Sequence, residues 1–93
     1  MKTIKDTSVY VKDTVVDQIN GIKIYARRTN ENQMTLNASY HEKEPIDEIA
    51  SMLHARGYGV KREKFVLDAK PHFNVEAVWP GEGGGPYPLP QNG

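Results

Sequence analysis

Three histidines, His41, His54 and His72, are the side chains here whose ordinary titration falls near neutrality, and they are the first candidates for chemistry. With Glu42 or Glu76 as a fourth ligand they would make a zinc site. Their spacing argues against it, because no two of them stand at the short intervals that let one element grip one ion. The carboxylates Glu42, Glu44, Asp47 and Glu48 are candidates for proton transfer, yet a cluster of acids opening a helix is already accounted for by the helix dipole. Nucleophiles are missing as a class: the chain has no cysteine, no G-x-S-x-G turn and no P-loop. The run Gly83-Gly84-Gly85 precedes no helix whose amides could cradle a phosphate. No enzyme, no cofactor and no metal are therefore expected.

The remaining chemistry is recognition. Lys23, Tyr25 and Arg27 alternate with Ile22, Ile24 and Ala26, so one face of a strand there presents an aromatic ring between two cations. That arrangement stacks a base and holds its phosphates. Arg56, Lys61, Arg62 and Lys64, with Arg28 nearby, add a basic stretch that outweighs Glu63 by 3 charges. Against it stands the whole chain, in which 12 basic residues balance 12 acidic ones; a general nucleic-acid binder carries a net positive field. Arg56-Gly-Tyr-Gly begins like the basic-Gly-aromatic-Gly element of an RNA-recognition motif. It continues Val60-Lys61-Arg62-Glu63, where that element needs aromatic and apolar positions, so no family resemblance follows.

The elements that must position these residues are legible from periodicity. Ile46, Ile49, Ala50 and Leu53 make one apolar stripe at the helical period, with Pro45 expected at the first helical position and Gly57 at the left-handed C-terminal one. Asn20-Gly21 between two β-rich runs predicts a tight hairpin joining strands at about 14–19 and 22–28. Across that turn Val15 would face Ala26, while Asp17 would face Ile24 on the apolar side, a conflict that a bulge would relieve. Met34, Leu36, Ala38 and Tyr40 alternate with polar residues as a third strand. Residues 59–67 and 72–79 follow the helix as strands four and five, and Phe73, Val75, Ala77 and Trp79 share a face. The order βββαββ predicts an α+β fold, an antiparallel sheet of four to five strands with one helix packed on one face.

Composition sets the limits. Residues 1–12 are either a loose lead-in or an extra edge strand, residues 13–79 form the single domain, and residues 80–93 are expected to be a flexible Gly/Pro-rich tail outside it. So small a domain has a thin core. The absence of cysteine and of a long apolar run near the N-terminus favours the cytoplasm and no membrane partner.

One helix about 10 Å across covers only around half of a five-stranded face roughly 20 Å wide. The uncovered half is expected to meet a second subunit or another protein, with Trp79, Phe73 and Phe65 at the contact. The chain thus reads as a small non-catalytic binding protein, a regulator, adaptor or inhibitor working through protein contact or as a homodimer. A chain of this size, free of cysteine and of any cofactor motif, fits an accessory protein of a phage or other mobile element. The alternative is a nucleic-acid-binding protein using Lys23, Tyr25, Arg27, Arg56, Lys61, Arg62 and Lys64.

Overall fold

The computed structural model describes residues 13–90, so the proposed lead-in at 1–12 and the last three residues of the expected tail lie outside the described residues. The chain forms β1 (Asp13–Ile19), β2 (Ile22–Asn30), β3 (Gln33–Tyr40), α1 (Lys43–Ala55), β4 (Gly59–Leu67) and β5 (Lys70–Val78). The strands make one antiparallel sheet in the order β1-β2-β3-β5-β4, and α1 lies on one face of it. The fold is α+β with the order βββαββ.

Asn20 and Gly21 both take positive φ, 52° and 82°, as the tight turn between β1 and β2 requires. Beyond it Asp17 does stand opposite Ile24. The ladder then slips, so that Val15 meets Tyr25 rather than Ala26, with Val16 as the extra residue. The bulge keeps Val16 and Ile19 packed on the core although the strand's strict alternation is broken.

Helix α1 begins two residues earlier than Pro45 suggested. Glu42 is the N-cap, and Pro45, third in the helix, is tolerated because the first-turn N–H groups have no intrahelical partner. Its C-terminus follows the sequence closely. Gly57 has φ 107°, its N–H reaches the His54 carbonyl at 3.0 Å, and the Tyr58 N–H reaches that of Leu53 at 3.1 Å, the paired bonds of a Schellman motif. Ile46, Ile49, Ala50 and Leu53 are buried against the sheet residues Leu36, Ala38, Val75 and Ala77.

The helix contacts β3, β5 and β4, the C-terminal side of the sheet. The half toward β1 and β2 is met by residues 80–90, the segment expected from composition to be a flexible tail, which here lies against the body. The Gly83 N–H donates to the Asn32 carbonyl at 2.6 Å, Arg28 Nη1 donates to the Pro90 carbonyl at 3.0 Å, and the Tyr58 hydroxyl donates to the Gly84 carbonyl. Tyr87 and Leu89 pack on the core. The glycines permit the close approach: a Cβ on Gly84 would collide with the end of the Met34 side chain, and one on Gly85 would sit in the Trp79 ring. The segment is a strap. The half of the face that α1 leaves open is thus met by the same chain.

Candidate functional site

Two places hold the side chains singled out above, and each is set by the register of the sheet. The first is the strap's anchor. Asp17, on the apolar face opposite Ile24, accepts the Tyr87 hydroxyl, and Arg56 Nη1 donates to the same phenol oxygen at 2.5 Å while standing 4.0 Å from the Asp17 carboxylate. The Tyr87 bond, together with the Gln18 amide, holds the Asp17 carboxyl below its ordinary value of 3.8, and burial followed by Asp17 pushes the Tyr87 phenol above 10.0. Burial also raises Tyr58. Trp79 lies just past β5 and edge-on to Tyr58, with ring centroids 5.2 Å apart, between Gly57 and Gly85. These neighbours come from its own chain and leave Trp79, expected at an intermolecular contact, half-buried.

The second place is an arm. Strand β3 ends its pairing with β5 at Tyr40 opposite Phe73, whereas β4 and β5 continue past that point through Phe65–His72, Val66–Pro71 and Leu67–Lys70. The tip of this hairpin therefore projects beyond the sheet, and its apolar side chains stand in solvent: Phe65 is 42% exposed, Val66 69% and Leu67 52%. Phe65 stacks on His72 at 5.6 Å. The turn, Asp68 with φ 53° and Ala69 with φ 63°, has the conformation of the Asn20-Gly21 turn without its glycine.

Phe65 and Phe73 do not form one surface. Phe73 pairs with Lys64 and faces the helix side; Phe65, one residue on, faces the other. On the helix side, between the arm and the start of α1, Phe73 and Ile46 floor a groove of about 450 Å³ rimmed by Lys43, Asp47, Arg62 and Lys64. Lys43 binds Asp47 at 2.6 Å and Arg62 binds it at 3.1 Å; these contacts, Lys43 first, hold the Asp47 carboxyl below its ordinary value.

The basic and aromatic residues are dispersed. Lys23, Tyr25 and Arg27 share the uncovered face, with Arg27 held by Asp13 at 2.8 Å. Lys61 lies on that face too but at the far edge of the sheet, 3.6 Å from Glu63. Arg62 and Lys64 turn to the helix side, and Arg56 belongs to the strap's anchor. The sequence cluster is thus three separate groups. Among the described residues, no group of three histidine, cysteine or acidic side chains is placed to hold a metal ion, and no helix is long and apolar enough to cross a membrane.

Sequence reasoning missed the strap, although two signals pointed to it. Asp17 on a core-facing position needs a donor, and three consecutive glycines four to six residues past the only tryptophan allow a chain to lie flat on a ring. Compared with known proteins, the chain matches no family model, no curated protein and no solved structure.

Proposed function

We propose that this is a non-catalytic binding protein, a regulator, adaptor or inhibitor, that contacts another protein chain through the β4–β5 arm. The observation that carries the reading is the exposure of Phe65, Val66 and Leu67 together at the tip of a ribbon that no other strand flanks among the described residues. Apolar patches on such projections mark interaction sites, and a two-stranded ribbon is marginal in water by itself, so its natural complement is a chain that adds to it. The groove floored by Phe73 and Ile46 is continuous with the arm and suits an apolar side chain of that partner. The lack of cysteine suits a reducing compartment, and the cytoplasm is the proposed location.

A nucleic-acid reading draws support from Lys23, Tyr25 and Arg27 sharing the uncovered face. It is the weaker one, since Arg27 is already paired, Lys61 stands at the far edge of the sheet, and Arg62 and Lys64 turn to the helix side.

A photo-reactive residue at position 66, irradiated in the cell of origin and read by mass spectrometry, tests the proposal. Cross-links to protein from position 66, and not from exposed His54 on α1, are expected. Cross-links to nucleic acid alone, or none, would overturn it.

A further inference from the structure

Two edges of the arm are available to a partner, and they differ. On the β5 side Pro71 has no N–H to offer, and within a regular ladder proline sits where that N–H would have pointed outward, so this edge cannot pair regularly. On the β4 side the ladder from Gly59 to Leu67 runs without a bulge and contains no proline. A long regular edge of this kind templates another strand. Its inner part is blunted by four consecutive charges, Lys61, Arg62, Glu63 and Lys64. The outer part, Lys64-Phe65-Val66-Leu67, followed at once by Asp68 in the turn, runs cation, three apolar residues, anion.

That order is complementary to itself read backwards. We propose that the arm's partner is a second copy of this chain, with two β4 edges pairing antiparallel about a two-fold axis at Val66. In this register Val66 meets Val66, Phe65 meets Leu67 twice on the open side, and Lys64 meets Asp68 twice. Shifting the axis to Glu63 or to Lys64 brings like charges face to face, and an axis at Phe65 leaves Glu63 against Leu67. An axis at Arg62 would satisfy Lys61 and Glu63 but set two arginines opposite each other and leave Val66 and Leu67 bare. Only the Val66 axis buries all three exposed side chains of each copy with opposite charges at both ends, and directly opposed pairs lie close enough to interact. The inference rests on the arm being the contact surface, as proposed above.

Charge reversal separates this geometry from any other. Light scattering or sedimentation of the intact chain over a wide dilution series should show a reversible dimer. Lys64→Asp alone, or Asp68→Lys alone, places like charges at both ends of the contact and should weaken dimerisation about tenfold or more. An equimolar mixture of the two variants restores both opposite-charge pairs and should recover association as a heterodimer. That recovery also demonstrates that each variant is folded. A wild-type chain that stays monomeric, a dimer indifferent to both reversals, or a mixture no tighter than its components would overturn the proposal. The cross-linking experiment keeps the two readings apart: cross-links from position 66 to a different protein and none to a second copy sink the self-pairing and leave the protein contact standing.

Discussion

The hairpin joining β1 to β2 and the hairpin joining β4 to β5 each reverse through two residues at positive φ, and they meet opposite fates. In the first, Asn20 and Gly21 accept positive φ readily, Ile22, Ile24 and Ala26 face inward, and the strap closes over them. In the second, Ala69 is held at φ 63° against its preference, and Phe65, Val66 and Leu67 face water. A residue without glycine's freedom in that conformation costs about 1 kcal/mol, and an uncovered apolar side chain forgoes about 1.5–3 kcal/mol of burial. A fold this small tolerates both penalties in one place and neither in the other. The difference separates a hairpin that supports the core from one available for contact.

The widest gap between the hairpins should appear on truncation. Ile24 is fully buried in β2, and Ile24→Ala should cost about 2–5 kcal/mol, read as a large fall in Tm. A loss comparable to that of an arm substitution would mean that the β1–β2 hairpin is not part of the core. Next comes the strap that makes the first hairpin differ from the second. Gly85→Ala drives a methyl group into the Trp79 ring at φ 70° and should cost about 2–3 kcal/mol, with Trp79 fluorescence shifting toward that of an exposed indole. An unchanged melt would return residues 80–90 to the status of a dispensable tail.

The anchor of the strap is smaller and depends on pH. Tyr87→Phe removes the hydroxyl that donates to Asp17 and accepts from Arg56, and should cost about 1 kcal/mol near neutrality. Because the folded-state pKa of Asp17 lies below its unfolded value, about 3.9, the bond contributes fully above that value and is lost as pH falls through the folded one. Tyr87 is raised, so its contribution is complete below about 10 and fades as pH climbs through the folded value. The gap between wild type and Tyr87→Phe should thus narrow at both extremes of pH. A gap that stayed constant in acid would show that Asp17 is not the acceptor that matters.

Most of this scaffold was legible in the chain because its signals are local. The apolar stripe on α1, the Asn20-Gly21 turn and the Gly57 terminator each lie within a few residues of the structure they cause. The arm was half legible: its strands were placed, but which side Phe65 and Phe73 face depends on a register set across three strands. The strap was illegible to periodicity. Residues 80–90 have none, and their order comes from single long-range partners, Asp17, Asn32 and Arg28, each more than fifty positions away.

On the arm itself the sign reverses. Ala69→Gly relieves the left-handed strain of the turn and should stabilise the protein by about 0.5–1 kcal/mol, making the second turn chemically like the first. A loss of stability would mean that the Ala69 methyl makes a contact worth more than the strain.

The smallest expected effect is the one that most sharpens the contrast. Val66 is 69% exposed, its pairing partner across the ribbon is Pro71, and it takes no part in the core, so Val66→Ser removes little burial within the chain. Surface substitutions of this sort shift stability by about 0.5 kcal/mol or less, and the melting curve of the dilute protein should be nearly superimposable on that of wild type. A buried valine loses far more, because its methyl groups leave contacts behind. If Val66→Ser nonetheless lowers Tm at high protein concentration and not at low, the lost burial lies between chains, since a contact with a second copy stabilises the folded state more as the protein concentration rises. A substantial loss at every dilution would instead place Val66 against its own chain, and the two hairpins would then differ only in their turns.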